Sequence, residues 1–454
     1  MNADPGVSVP AAAVGVPAAV LARVADPGAP WPLRRMFPLL ATVVLIVIGM
    51  AGTIWGPRYY GRTAWALPDD LWGTLIAAQR LLHLKLAALY TTPTQLVSLP
   101  GTAIICVPAV ALIEVAGIPL RAPGAIGAHP AAWLLAGPYQ VAISAVVLFA
   151  ADAIAERLRV PRLRRLLLAV AGATALWSVT IRWGHPEDAV ATGLLLYAVL
   201  ALSGGRASRA AWLAGAAVAV QPLVLLALPV LLTVVGPPRW PGFLTRAAAP
   251  SVLLLAVAAS ANWPATIHAV TSQPNSPLID HPTPWIYLAP HLAGGQVAAG
   301  PARILALVAA CGCGLLAGRS WRTGGRSALL PALRPALLPD LLWWTAVALA
   351  LRSAFEPVMV AYYLWPPLAV ALVTASRSWP RLLGAGITAT VLTFFSQVQW
   401  HNPWSWWTPM IMVLGLTLFF ARGPRVSRGP GPRLARPAQV LPEPGEQFIA
   451  DGAP

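Results

Sequence analysis

A chain of 454 residues that is 57% hydrophobic and only 10% charged excludes an ordinary soluble domain, because apolar runs of membrane-spanning length recur along it. The fold class this implies is all-α, a polytopic transmembrane helical bundle. A net charge of +16 invites a nucleic-acid reading, but arginine-rich loops on one side of a bilayer account for it better. Cys106, Cys311 and Cys313 all lie in apolar segments and support neither a disulfide framework nor a zinc site.

Residues 1–33 are rich in Pro, Ala and Gly and lack a basic stretch followed by an apolar core. They read as a flexible cytoplasmic tail and not as a cleaved signal. Segment 36–55 follows Arg34 and Arg35 and is predicted to cross outward. Residues 57–130 then form a first outer loop that begins and ends on the same side. A full crossing at 101–117 would place the arginines of 157–165 outside, so an amphipathic helix is expected near 70–90 and a re-entrant or surface-lying segment near 94–117. Glu114 and Pro108 suit a segment that dips in without crossing. Segment 131–155 returns to the inside.

Arginine clusters at 157–165, 206–209, 239–246, 319–334, 377–381 and beyond 422 mark the later inner loops. Between them fit the apolar pairs 166–182 with 189–203, 211–222 with 223–235, 246–263 with 300–318, 336–353 with 358–376, and 382–398 with 405–421. The second pair is the weakest, since each half is short, and one kinked helix is its alternative. The tally is about 12 crossings with both termini cytoplasmic. It divides the chain into an N-terminal transmembrane module (34–263), a long extracytoplasmic loop (264–299), a C-terminal module (300–421) and a disordered tail (422–454). This threading puts all seven histidines (His83, His129, His185, His268, His281, His291, His401) on the outer side, together with Asp69, Asp70, Glu187, Asp188, Asp280 and Glu356. Such a distribution implies a membrane enzyme or carrier whose site opens outward, and one lysine against 30 arginines points to a GC-rich bacterial genome and so to a bacterial plasma membrane.

Three stretches carry the candidate chemistry. PDDLWGTLIAAQRLLHLKLAALY (68–90) sets Asp69 and Asp70 ahead of a helix with Arg80, His83 and Lys85, where helical spacing puts Arg80 and His83 on neighbouring turns. A carboxylate at a water–lipid boundary can act as a general base towards a hydroxyl; the structural alternative is that one aspartate caps the helix. IRWGHPEDAV (181–190) packs Arg182, His185, Glu187 and Asp188 into a short turn. The acids there also suit a helix N-terminus, Arg182 offers a phosphate a bidentate fork, and adjacent ligands fit a single metal ion poorly. Loop 264–299 holds His268, Asp280, His281, His291, Trp285 and Tyr287 and reads as a lid, a binding surface or a solvated loop. Two shorter outer turns, FEP (355–357) before Tyr362 and Tyr363, and QWHNPWSWW (399–407), offer rings for sugar stacking or membrane anchoring.

Taken in order, these segments resemble the GT-C superfamily of polytopic glycosyltransferases, in particular the bacterial polyprenyl-phosphate-mannose-dependent mannosyltransferases. In that family a first crossing precedes an outer loop with an acidic residue, then a tyrosine and a proline-rich re-entrant stretch. Here Asp70, Tyr90 and TTPTQLVSLPGTAIICVPAVAL (91–112) look like these parts. GHPED (184–188), GGRASR (204–209), WLAGAAVAVQPLVLLALPVLL (212–232) and YYLWPPLAVAL (362–372) resemble the later motifs, so the likeness covers most of residues 36–376. Gln221 stands where the family's Lys-Pro lysine falls, GHPED replaces a Gly-Gln turn, and the glycine before the tyrosine is absent.

The resemblance implies transfer of mannose or another hexose or pentose from a polyprenyl-phosphate donor to a lipid-linked or cell-envelope glycan. Asp70 is the implied base, with Asp69 second. Arg80, Lys85 and Arg182 would bind donor phosphate, His185, Glu187 and Asp188 would orient acceptor or sugar, and His83, Tyr90, Gln221 and Tyr362 would complete the substrate site. No cofactor is expected, and the partners are donor, acceptor and membrane lipids without nucleic acid. A transporter or lipid flippase, suggested by the Gln221–Pro222 break between short helices, is the main alternative. A non-catalytic GT-C-like assembly partner is the third.

Overall fold

Where apolar residues run on without charge, backbone groups removed from water must satisfy one another locally, and helices are the result. A computed structural model describes residues 30–60, 67–91, 96, 98–121, 131–278, 280–323, 337–398 and 402–423. It is 80% helix and 2% strand, in agreement with the all-α expectation. Both expected tails lie almost wholly outside the described residues, as do His129, Gln399, Trp400 and His401.

After a helical turn at Trp31–Arg34, the helices are α1 (Met36–Tyr60), α2 (Asp69–Leu82), α3 (Pro100–Ile104), α4 (Val107–Val115), α5 (Ala131–Ser144) and α6 (Val146–Arg157). They continue with α7 (Arg162–Trp177), α8 (Pro186–Ser203), α9 (Ala207–Val220), α10 (Leu228–Val235), α11 (Trp240–Ala261) and α12 (Trp263–Ser272). The last are α13 (Ala302–Thr323), α14 (Leu338–Phe355), α15 (Trp365–Ala375), α16 (Trp379–Phe395) and α17 (Pro403–Ala421).

By length and apolarity, six helical stretches among the described residues qualify to cross a membrane: Ala131–Arg157, Arg162–Arg182, Pro186–Ser203, Pro237–Ala261, Ala302–Trp321 and Pro403–Ala421. The other expected crossings fall on helices that are shorter or less apolar. Large apolar side chains face outward on these helices, among them Val252, Leu253 and Val257 on α11, Ile304, Val308 and Leu315 on α13, and Met412 and Phe419 on α17. Water would penalise such surfaces and lipid would not, so the apolar exterior agrees with a membrane protein.

Every residue of α15 is buried, and this helix forms the hub against which α7, α8, α14, α16 and α17 pack. The region expected to hold a surface helix and a re-entrant segment consists of α2 and the short pair α3–α4, broken at Ile105–Cys106, with α4 packed on α2. Gly101 lets α3 meet the end of α9: a Cβ there would lie 2.1 Å from the Ala219 carbonyl oxygen.

The segment 264–299 departs from the expectation of a plain loop. It opens as helix α12, capped by Asn262, whose side chain accepts from the Ala265 amide. Strand β1 (His281–Pro282) then pairs antiparallel with β2 (Val358–Met359), and Thr283 bonds the backbone of Glu356 and Pro357. The His281 ring stacks on Trp406 at 4.1 Å and Trp285 donates to the Ala354 carbonyl, so the segment is fastened to α14 and α17.

Candidate functional site

The site begins with a turn that only glycine permits. Helix α7 widens into a single π-turn at Ser178–Arg182, a feature frequent at functional sites, and the chain then reverses through Gly184 at φ +71°. A Cβ on Gly184 would meet the Leu71 Cβ at 2.8 Å and Pro68 at 3.0 Å. Absence of that carbon seats the start of α2 directly on the turn. Gln397, in the turn after α16, fixes this reversal, accepting from the Trp183 indole at 3.0 Å and donating to Ser178 at 2.9 Å.

This packing joins residues far apart in sequence. His185 Nε2 lies 3.0 Å from Asp70 Oδ2, and His185 Nδ1 lies 2.5 Å from Glu187 Oε1. A neutral imidazole donates through one nitrogen only, so two carboxylate contacts fit the doubly protonated ring. Burial acts to lower the His185 pKa, yet the facing Glu187 and Asp70 outweigh it and hold the ring well above its ordinary value. Burial pushes Asp70 upward in turn, but its hydrogen bond to His185 and the imidazolium charge leave it lowered. Asp70 is the half-exposed member, with 47% of its side chain accessible against 13% for His185. Tyr362 stacks on the imidazole at 3.8 Å and closes the other side.

Beneath this triad the site is buried. Pro186 starts α8, and Glu187 and Asp188 occupy its first turn. Neither side chain caps the helix: Glu187 turns to His185, and Asp188 Oδ1 accepts from the Gln221 amide at 2.9 Å. Gln221 is the single extended residue separating α9 from the 3₁₀ turn Pro222–Ala227. One oxygen of each acid, Glu187 Oε2 and Asp188 Oδ2, is buried without a hydrogen-bond partner. His185, Glu187 and Asp188 each present a metal-capable atom, and these lie within 4.8 Å of one another.

Sequence reasoning missed the cation that faces this cluster. Arg352, in the last turn of α14, is 8% exposed, and its charge acts on Asp188 and Tyr362. Its guanidinium lies 3.2 Å over the Tyr363 ring, 3.8 Å from Glu356, and its Nε and Nη1 have no hydrogen-bond partner. Arg303 holds Glu356 at 2.6 Å and also donates to Gln273, which leaves Arg352 the less committed of the two arginines. The available signal was an arginine inside the apolar run of α14, four residues before Glu356. Asp280, placed in the long loop by sequence, proves to sense the same site: burial and the negative charge of Asp70 push its carboxyl up to about 6.

Other expected residues lie elsewhere. Asp69 is the first residue of α2, after the N-cap Pro68, and its side chain lies outside the described residues. The capping alternative for Asp70 fails, because its carboxylate bonds His185 instead. Arg80 and His83 stand ten or more residues along α2, about 15 Å from its start at the helical rise. Arg80 folds back on the carbonyls of Ala88 and Thr91, and His83 bonds Glu114 at 2.9 Å, with Gln79 on the same carboxylate. Those bonds pin α2 to α4 and to the turn that follows. Tyr90 donates to the Ser98 carbonyl at 3.0 Å, so its hydroxyl is likewise engaged in local structure. Lys85 and Arg182 are exposed, the latter 5.8 Å from its neighbour's Trp183 ring. No model of a protein family matches the chain, and a comparison with curated proteins finds no matching relative.

Proposed function

We propose that the chain is an integral membrane glycosyltransferase that passes a sugar from a polyprenyl-phosphate donor to a hydroxyl of a lipid-linked or cell-envelope glycan, on the extracytoplasmic face of a bacterial plasma membrane. One observation carries the reading. A half-exposed carboxylate, Asp70, is oriented by His185, which Glu187 orients in turn, at the mouth of a buried polar cluster that ends on Arg352. The order of motifs from residue 36 to 376 supplies the substrate class by resemblance.

In this mechanism the acceptor O–H gives its proton to the Asp70 carboxylate as its oxygen attacks the anomeric carbon. The bond from that carbon to the phosphate oxygen breaks, and polyprenyl phosphate departs with the electron pair. General-base assistance of this kind is worth about 10²–10⁴-fold. Arg352 has free donors and a buried setting, which strengthens its attraction to the leaving phosphate. It takes the role that sequence reasoning gave to Arg80, Lys85 and Arg182. Tyr362 and His185 present stacked rings to the site and shape the sugar pocket.

A carrier or lipid flippase is the second reading. The helix breaks at Gln221 and the π-turn at Ser178–Arg182 favour it, since broken helices line carrier sites. Membrane vesicles given radiolabelled polyprenyl-phosphate-mannose distinguish the two. Label entering a lipid or glycan product, and lost by about 10²-fold or more in Asp70→Asn at equal expression, supports the enzyme. Label that crosses the bilayer without covalent transfer supports the carrier.

A further inference from the structure

The chemistry of the Asp70–His185–Glu187–Asp188 cluster is incomplete with protons alone. His185 engages one oxygen of Asp70 and one of Glu187. Gln221 satisfies one oxygen of Asp188. Glu187 Oε2 and Asp188 Oδ2 are left buried and unpartnered on side chains from residues only 5% and 0% exposed. Buried carboxylate oxygens are stable when paired, protonated or bound to a metal, and these two have no hydrogen-bond partner.

The geometry allows one ion to be shared. Ligand atoms bound to one ion stand apart by at most twice the metal–ligand distance, about 4–5 Å for divalent cations. Atoms of His185, Glu187 and Asp188 lie within 4.8 Å of one another. The three residues span one turn: Gly184 and Pro186 fix the backbone on either side of His185, so the spacing is built into the start of α8.

We infer that His185, Glu187 and Asp188 form a divalent-cation site. An imidazole with two carboxylates is a mixed donor set; it suits Mn²⁺ better than Ca²⁺ or Mg²⁺, which take oxygen ligands almost exclusively. Binding displaces the proton from the imidazole nitrogen that becomes a ligand, and the cation takes over its role of holding the acids together. The site stands on the residues of α8 and not on the sugar-transfer reading, so an enzyme or a carrier would equally possess it.

The test uses full-length protein in lipid nanodiscs, stripped with chelator and titrated with Mn²⁺ by electron paramagnetic resonance. One Mn²⁺ per chain is expected, with nitrogen hyperfine modulation that disappears in His185→Gln. Glu187→Gln and Asp188→Asn should each weaken binding at least ten-fold. Gln221→Lys sets an ammonium beside Asp188 and should abolish binding while the protein stays monodisperse. Glu114→Gln, at the His83 pair, should leave binding unchanged. Wild-type protein that takes up no stoichiometric Mn²⁺, or a bound ion without nitrogen modulation, overturns the site even if some variants fail to fold. Sugar transfer undiminished in chelator, with no Mn²⁺ bound, would remove the cation and keep the transferase. Stoichiometric Mn²⁺ without any transfer would do the reverse.

Discussion

Two buried charge clusters in this bundle differ in one respect that decides what each can do. The first joins Arg34 and Arg35, at the entry to α1, with Asp152 and Glu156 of α6 and Arg165 of α7. Asp152 Oδ1 accepts from Arg165 at 2.7 Å and Oδ2 from Arg165 and Arg35 at 2.6 and 2.8 Å. Both oxygens of Glu156 are taken by Arg34 and Arg35. Three cations meet two anions, and every carboxylate oxygen is satisfied. The second cluster, around His185, is rich in acids and leaves two buried oxygens and two guanidinium nitrogens unpartnered. A satisfied polar network rigidifies a fold, whereas an unsatisfied one is maintained against its own cost and points to a ligand.

The comparison predicts opposite outcomes for changes at the two clusters, and the largest expected effect is at the satisfied cluster. Asp152→Ala leaves the buried Arg165 without a carboxylate and takes one of two from Arg35, and removing one partner of a buried ion pair costs about 3–5 kcal/mol. Little monodisperse protein should survive extraction, as read by size-exclusion chromatography and thermal unfolding. Asp188→Asn removes a charge that lacks a full complement and should leave the melting temperature of the chelator-treated protein unchanged or raised. If Asp152→Ala melts like wild type, the contrast between the clusters collapses.

Gly184 sharpens it next. Gly184→Ala must hold φ +71° and push Leu71 and Pro68 away, with backbone strain of about 1–3 kcal/mol. Its distinctive outcome is functional: α2 shifts, the Asp70–His185 bond opens, and sugar transfer falls further than the modest loss of stability explains. A variant that keeps full transfer would show that Asp70 does not need His185.

How much of this was visible in the sequence follows from the range of each interaction. The helices were legible because continuous apolar stretches dictate them locally, and each expected segment overlaps a helix described here. Asp70 and GHPED stood out because ionisable residues beside apolar helix ends are few. That they meet was not legible: the contact spans 115 residues and depends on a glycine packing against Pro68 and Leu71. Arg80 and His83 misled for a related reason. Helical spacing put them on one face, but the pattern did not show that Arg80 would bond the turn following its own helix and His83 would bond Glu114. Arg352 went unnoticed because a lone arginine near a helix end reads as an interfacial anchor until Asp188 and Tyr363 are seen beside it.

The smallest expected effect concerns Asp280, at the edge of the unsatisfied cluster. Its carboxyl is raised to about 6, first by burial and then by the charge of Asp70. An acid raised on folding adds stability that is complete below its unfolded pKa, about 4, and fades as pH rises through its folded value. Between pH 4 and pH 7 the ionised Asp280 therefore becomes an increasing burden on the folded state. Asp280→Asn removes that titration, so in chelator-treated protein the variant should gain on wild type in melting temperature as pH rises from 4 to 7. The gain should shrink in Asp70→Asn, which removes the charge that Asp280 opposes. A difference between Asp280→Asn and wild type that is flat with pH would place Asp280 outside the cluster's field and confine the charge imbalance to the residues of α2 and α8.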